Sequence, residues 1–73
     1  MTLGMQGDDV KRLQKFLLKI CKNKGNIPGV RVTGTYDDLT EESVKKLQEL
    51  FQLPVNGVVG ASTWQDIVEY SKI

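Results

Sequence analysis

The chain has 73 residues, of which 40% are apolar, and it contains one cysteine and no histidine. This length suits one domain near the lower size limit for folding on a single core. The lone Cys21 excludes an internal disulfide, and the sequence has no Cys/His cluster that could hold zinc. The formal net charge of +1 gives no general attraction to nucleic acid or to a membrane.

The sequence also lacks signals for membrane insertion or export. No apolar run approaches the roughly 18–20 residues needed to cross a bilayer. The first residues do not follow the basic-then-apolar pattern of a signal peptide. We therefore expect no membrane contact, and we expect any role outside the cell to depend on an export signal elsewhere in a longer protein.

The clearest predicted element is an amphipathic helix over residues 7–22. Two aspartates, Asp8 and Asp9, fall in its first turn, where negative charge complements the helix dipole. One face is apolar and consists of Val10, Leu13, Phe16, Leu17, Ile20 and Cys21. The opposite face is basic and consists of Lys11, Arg12, Lys15, Lys19 and Lys22. We interpret the basic face as a solvated helix surface.

The following segment, residues 23–31, is predicted to be a loop, because its glycines, asparagines and proline favour turns. Apolar and polar residues then alternate around Gly34, between Val30 and Tyr36. This alternation indicates a short extended stretch or a tight turn, but it involves too little chain for a sheet.

Two further helices are predicted, over residues 38–52 and 61–70. Asp37 or Thr40 is expected to cap the start of the first one. Pro54 is expected to end it, because the residue before a proline is disfavoured in the α region. The apolar residues assigned to the core are Val44, Leu47, Leu50 and Phe51 in one helix and Trp64, Ile67 and Val68 in the other.

Two internal repeats link these elements. Residues 10–17 (VKRLQKFL) match residues 44–51 (VKKLQELF), and residues 32–40 (VTGTYDDLT) match residues 55–63 (VNGVVGAST). In the second pair a glycine allows a turn, and a threonine six residues later lies in the first turn of the next helix. Gln14 and Gln48 hold equivalent places in the first pair, where an amide can bridge a helix to the backbone of a neighbouring loop.

These patterns predict an all-α fold, a compact three-helix bundle with an internal turn–helix repeat and short irregular loops. We expect residues 1–73 to form a single domain and to remain a monomer. Catalysis is not predicted, since histidine is absent and the acidic pairs at helix starts are explained by capping. Cys21 is interpreted as a small core residue. We therefore expect a binding module rather than an enzyme, with no cofactor and no metal ion.

The order of the motifs resembles a known family. The first block is Leu3-Gly4, Gly7, Val10, Leu13-Gln14 and Leu17; the second is Val32, Gly34, Tyr36, Thr40, Val44 and Leu47-Gln48; the third is Leu53-Pro54-Val55, Gly57-Val58, Gly60 and Thr63-Trp64. Together they are similar to the signature of the peptidoglycan-binding domain family of bacterial cell-wall enzymes, and they extend over residues 3–67. Thr33 and Asn56 depart from the signature, which usually has aspartate at both positions.

The resemblance implies a non-catalytic domain that anchors a covalently linked enzyme to peptidoglycan (murein). The linked enzyme would be an amidase, a spore-cortex hydrolase, a phage endolysin or a transpeptidase. The location implied is extracellular or in the cell wall, as part of a longer exported or phage-encoded protein. No nucleic acid partner is expected.

A murein site needs amide and hydroxyl groups for the glycan and a cation for the carboxylates of the stem peptides. The predicted ligand-binding residues are therefore Gln14, Arg31, Thr33, Tyr36 and Asn56, with Tyr36 offering a ring face for stacking on a sugar. A structural role for Gln14 and burial of Tyr36 are the alternatives at these two positions.

Two other functions compete with murein binding. The first is a protein-interaction or pro-segment-like helical module of the same fold, although the Pro-Arg-Cys-Gly segment of metalloprotease propeptides is absent. The second is a helix-turn-helix DNA-binding domain, which would need a basic recognition helix. The second and third predicted helices are instead net acidic.

Overall fold

The protein folds into three α-helices joined by irregular segments. The computed structural model describes residues 1–24 and 29–72, and within these ranges the helices are α1 (Asp8–Lys24), α2 (Asp38–Leu50) and α3 (Ala61–Ser71). The same ranges contain no β-strand, and an isolated antiparallel bridge joins Gln6 to Thr35. The predicted all-α, three-helix fold is confirmed. None of the described helices is long and apolar enough to cross a bilayer.

The core consists of one face of each helix and of side chains from the connecting segments. α1 packs against both α2 and α3. The buried apolar side chains are Val10, Leu13, Leu17, Ile20, Val30, Tyr36, Val44, Leu47, Val59 and Ile67. Burial of each large aliphatic side chain contributes roughly 1.5–3 kcal/mol. Leu50 departs from the predicted apolar stripe of α2, since it is 47% exposed.

The segment before α1 is hydrogen-bonded to the segments that precede the other two helices. The Gly4 amide donates to the Tyr36 carbonyl (2.9 Å), and the Tyr36 amide donates to the Met5 carbonyl (2.8 Å). Met1 and Val59 exchange two hydrogen bonds between their backbone nitrogens and carbonyls, both of 2.7 Å. Residues 1–7 therefore connect the segment before α2 with the segment before α3, a role that the sequence patterns did not indicate.

Asp37 caps the start of α2. Its Oδ1 atom accepts hydrogen bonds from the Thr40 amide and from the Thr40 hydroxyl, both at 2.9 Å. The first of these satisfies an N–H group that has no partner inside the helix. The bond from the Thr40 amide is the largest cause of a lowered pKa at the Asp37 carboxyl. Of the two predicted caps, Asp37 is thus the acceptor and Thr40 is its donor.

The end of α2 is set by Gln52 and not by Pro54. Gln52 has a left-handed backbone with φ of 61°. The Leu53 amide donates to the Gln48 carbonyl (2.8 Å), and the Gln52 amide donates to the Glu49 carbonyl (3.2 Å). These two bonds form a Schellman motif, which satisfies the last carbonyls of a helix. The prediction that Pro54 ends the helix is therefore wrong, because the chain has already turned before it.

The predicted loop over residues 23–31 lies partly outside the described residues, which omit 25–28. At its start the prediction is wrong, because residues 23 and 24 continue α1. At its other end Val30 is buried in the core, while Arg31 is exposed.

We predict that Asp37→Ala lowers the free energy of unfolding by about 1 kcal/mol at pH 7, because α2 loses its side-chain acceptor. Asp37→Asn is the matched control, since it keeps an uncharged acceptor and should lose only the part of the stabilisation that depends on the negative charge. The folded pKa of Asp37 lies below its ordinary value of 3.8. The carboxylate's contribution is therefore present above about pH 4 and is lost as the pH falls through the folded pKa. Urea unfolding at pH 7 and pH 2 measures this, and an equal loss at both pH values would contradict it.

We also predict that Gln52→Gly raises the free energy of unfolding by about 0.5–1 kcal/mol, because glycine adopts the left-handed region without a steric penalty at Cβ. Lys46→Gly is the matched control. It introduces the same residue inside α2, where it should lower stability by about 1 kcal/mol. Thermal unfolding monitored by circular dichroism compares the two variants. A lower melting temperature for Gln52→Gly would contradict this prediction. It would show that contacts of the glutamine side chain stabilise the fold by more than its left-handed backbone destabilises it.

Candidate functional site

A buried glutamine of α1 holds the turn that leads into α2. The Oε1 atom of Gln14 accepts hydrogen bonds from the amides of Thr33 and Gly34, both at 2.9 Å. Its Nε2 atom donates to the Thr35 carbonyl (2.9 Å) and to the Thr40 hydroxyl (3.1 Å). Gln14 has no solvent exposure. The predicted bridge from a helix amide to a loop backbone is thus confirmed at this position.

The turn before α3 repeats this arrangement around Gln48. The Oε1 atom of Gln48 accepts hydrogen bonds from the amides of Asn56 (3.1 Å) and Gly57 (3.0 Å). Its Nε2 atom donates to the Val58 carbonyl (2.9 Å) and to the Thr63 hydroxyl (3.4 Å). We call these two assemblies the Gln14 clamp and the Gln48 clamp. The sequence repeats therefore correspond to a repeated hydrogen-bond pattern.

Each clamp closes over a glycine that no other residue could replace without strain. Gly34 and Gly57 have φ values of 84° and 74°, in the left-handed region. A Cβ atom on Gly57 would lie 2.9 Å from Cγ of Glu41 and 3.0 Å from Cε of Lys45. A Cβ atom on Gly34 would lie 3.1 Å from Cε of Lys11. In both repeats, the lysine three residues before the glutamine thus covers the glycine of the turn.

The residue before each glycine supplies a side-chain acceptor for the same turn. The Thr33 hydroxyl accepts a hydrogen bond from the Thr35 amide (3.2 Å), and the Asn56 Oδ1 atom accepts one from the Val58 amide (2.9 Å). The Nε2 atoms of the two clamp glutamines also donate to these oxygens. An aspartate could accept the same bonds, so threonine and asparagine preserve the turn at both positions.

Tyr36 lies in the core and ties the two turns together. Its side chain is 1% exposed, and its hydroxyl donates to the Gly57 carbonyl at 2.7 Å. Burial raises the pKa of Tyr36, and the negative charge of Glu41 raises it further. The prediction of a ring face for stacking on a sugar is corrected here, because neither face of this ring reaches the surface.

The five predicted ligand-binding residues therefore separate into two groups. Gln14 and Tyr36 are buried, and their polar atoms bind other parts of the protein. Arg31, Thr33 and Asn56 are exposed. Among the described residues, Asn56 lines a surface groove, whereas Arg31 and Thr33 line none of the main grooves.

Two grooves adjoin the start of α3, and Gly60 and Ala61 line both of them. The first, which we call the Arg12 groove, has a volume of about 360 Å³ and is lined by Met1, Asp9, Arg12, Val59, Gly60, Ala61 and Trp64. The second, which we call the Asn56 groove, has a volume of about 340 Å³ and is lined by Gln48, Leu53, Pro54, Asn56, Val58, Gly60, Ala61, Ser62 and Thr63. The two grooves thus form a continuous surface next to the Gln48 clamp.

The Arg12 groove contains residue types that small-molecule and peptide sites use. Trp64 is half-buried, and its ring packs edge-to-face on Phe16 with centroids 5.5 Å apart. Arg12 and Asp9 are exposed, and neither forms an ion pair with another described residue. Sequence reasoning assigned Arg12 to a solvated helix face and Trp64 to the core, because helical spacing does not reveal which side chains meet at a groove.

No group of three or more His, Cys, Asp or Glu side chains is placed to hold a metal ion within residues 1–24 and 29–72. In the same ranges, every buried side-chain nitrogen or oxygen has a hydrogen-bond partner. The buried polar groups therefore serve the fold, and the chemistry available to a ligand lies on the surface.

Comparison with known proteins identifies the family. The sequence model described as "Putative peptidoglycan binding domain" matches residues 6–67. The chain belongs to this family. The match extends over nearly all of the region in which the motifs resemble the family signature, so the expected peptidoglycan-binding domain is confirmed.

Individual relatives agree with this family membership. Two proteins called spore cortex-lytic enzyme, both from Bacillus cereus, are 38% identical to the chain over 69 residues. The alignment covers 94% of the chain but only 25% of each relative, so this peptidoglycan-binding domain spans about a quarter of their length. The crystal structure of the SleB N-terminal domain superposes with a TM-score of 0.82 at 34% identity, covering 97% of this chain and 90% of that domain.

We predict that Gln14→Ala lowers the free energy of unfolding by about 2–4 kcal/mol, because the amides of Thr33 and Gly34 lose their acceptor in a buried site. Gln65→Ala is the matched control. Gln65 is exposed on α3, and its side chain donates a long hydrogen bond to Glu69 at 3.5 Å, so its loss should change stability by less than about 0.5 kcal/mol. Urea unfolding measures both. Similar values for the two variants would show that the Gln14 clamp does not stabilise the fold.

Proposed function

We propose that this domain binds peptidoglycan and holds a covalently attached enzyme, one that cuts or modifies the cell wall, on its substrate. The supporting observation is the superposition on the SleB N-terminal domain, which extends over 97% of the chain with a TM-score of 0.82. The match to the peptidoglycan-binding family model across residues 6–67 supports the binding role. The Bacillus cereus relatives have most of their length outside the matched part, which is room for a catalytic unit.

In this proposal the domain contributes binding and the attached unit contributes catalysis. The chain has no histidine, and the polar side chains that the fold buries are bonded to one another in the two clamps. Such groups are already committed to stabilising the turns and are not free to move a proton onto a substrate. A binding role is therefore better supported than hydrolysis by the domain itself.

The proposed murein contacts lie on the outer side of the two turns. Asn56 uses its Oδ1 atom for the turn, which leaves its amide nitrogen as a donor for an N-acetyl or hydroxyl oxygen of the glycan. Arg31 and Thr33 are exposed beside the first turn. In this arrangement the inner side of each turn binds its glutamine, and the outer side is available to the ligand.

Weak contacts are sufficient for this role. A module tethered to an enzyme on a repetitive polymer rebinds at high effective concentration, so a modest affinity per site keeps the enzyme on the wall. We place the domain outside the cell membrane, at the cell wall, as part of a longer exported or phage-encoded protein.

The test is co-sedimentation of the purified domain with teichoic-acid-free murein sacculi, with chitin and cellulose as control polymers. We expect saturable pelleting with murein alone. Asn56→Asp keeps the Oδ1 acceptor of the turn but removes the amide donor, and Arg31→Gln removes the exposed cation. Both should weaken pelleting about two- to tenfold. Lys46→Gln, an exposed charge change on α2, is the matched control and should bind like the wild type.

Three outcomes separate the possibilities. If the domain stays in the supernatant at every concentration, murein binding fails and a protein partner becomes the better hypothesis. If it pellets equally with chitin, it recognises a general polysaccharide feature. If it pellets with murein alone but Asn56→Asp and Arg31→Gln bind like Lys46→Gln, murein binding stands and the contacts lie elsewhere on the surface.

A further inference from the structure

The Arg12 groove carries charges that a neutral glycan would not use. Arg12 and Asp9 both line it, and neither is paired with a described residue within ion-pair distance. The rest of the lining is largely apolar and includes Val59, Ala61 and the half-buried ring of Trp64. A concave site with an aromatic wall and a few oriented charges is typical of a specific small-ligand or peptide site.

The arrangement of charge suits a ligand with both a free carboxylate and a free amino group. Arginine binds carboxylates through paired N–H donors, and the planar guanidinium favours this geometry. Asp9 offers a complementary acceptor for an ammonium group. A sugar without ionised groups would leave Arg12 and Asp9 unpartnered, so it would gain no binding energy from these two charges.

The surroundings extend the cationic side of the groove. Arg12 also lines a neighbouring depression of about 300 Å³, together with Asp8, Lys11 and Lys15. The three cations outnumber the two aspartates at this end of α1, Asp8 and Asp9, and all five side chains are exposed. A ligand with more carboxylates than amino groups is therefore favoured over one with the opposite balance.

We propose that the Arg12 groove binds the stem peptide of peptidoglycan. Arg12 pairs with a free carboxylate of the peptide, Asp9 accepts from its free amino group, and Trp64 packs against its aliphatic carbons. This inference rests on the proposed function, and it assigns the peptide to the Arg12 groove, while the glycan contact of Asn56 remains in the neighbouring Asn56 groove. The two grooves meet at Gly60 and Ala61, so a glycan strand and its attached peptide could occupy them together.

The chain contains a built-in reporter for the experiment, because Trp64 is its only tryptophan. Sacculi digested with an amidase yield two soluble probes from one source. Hydrolysis of the amide bond gives the released stem peptides a free amino terminus, and it leaves the glycan strands with a lactyl carboxylate on each muramic acid, so the glycan fraction also controls for a carboxylate alone. We expect the peptide fraction to shift the Trp64 emission saturably, at concentrations about tenfold lower than any effect of the glycan fraction. Arg12→Gln should weaken the peptide response about five- to tenfold, and Asp9→Asn should weaken it to a smaller extent.

Lys19→Gln is the matched control for Arg12→Gln. Lys19 is exposed on the same helix, seven residues from Arg12 and hence on the same face, but it lies outside the groove lining. This variant loses the same charge and should bind peptide like the wild type. If Lys19→Gln weakens the response as much as Arg12→Gln, general charge attraction explains it and the groove proposal is overturned.

Co-sedimentation with intact sacculi, run in parallel, separates this inference from the proposed function. If the wild type pellets with murein while the peptide fraction leaves the Trp64 emission unchanged, murein binding stands and the groove proposal fails. The same conclusion follows if only the glycan fraction shifts the emission. If the wild type neither pellets nor responds, the proposed function fails, and this inference fails with it.

Discussion

The fold depends on two buried glutamine side chains that each hold a turn in place. Gln14 on α1 binds the backbone of the turn that leads into α2, and Gln48 on α2 binds the backbone of the turn that leads into α3. Each helix therefore positions the start of the next one. Because both amides are buried, their oxygens and nitrogens must be satisfied within the protein, and the turn backbones are the groups that satisfy them. The Asn56 groove is built directly on this network, because Gln48, Asn56 and Thr63 line it.

The two clamps are not equivalent, and the difference affects the surface. Asp37 caps α2 and also accepts a hydrogen bond from the Thr40 hydroxyl, whereas Gly60 precedes α3 and provides no side-chain cap. An aspartate or threonine at Gly60 would extend a side chain into the surface that the Arg12 and Asn56 grooves share. The second turn therefore combines a rigid inner side with an open outer side. Tyr36 reinforces the rigid side, since its hydroxyl fixes the Gly57 carbonyl from within the core.

The division between inner and outer sides also accounts for Thr33 and Asn56, two departures of this chain from the family signature. Thr33 and Asn56 replace the usual aspartates. The side-chain oxygen of each still accepts hydrogen bonds from the backbone amide two residues later and from the Nε2 atom of its clamp glutamine. The turn needs an acceptor at this position and does not need a charge. At Asn56, asparagine supplies the acceptor of the turn and places an amide donor, instead of the negative group of an aspartate, on the outer side, where ligand contacts are proposed.

The sequence by itself determined the three helices, the family and the repeated turn, because each depends on local spacing: the apolar positions of α1, the glycine and threonine six residues apart, and the glutamine beside each apolar stripe. It could not decide which polar residues face a ligand. Gln14 and Tyr36 have suitable chemistry for murein, but they are buried because residues distant in the chain close over them. Arg12 and Trp64 look ordinary in sequence, and only the packing of α1 against the start of α3 brings them to one groove. Periodicity specifies which face of a helix is buried, whereas a site on the surface depends on where separate elements meet.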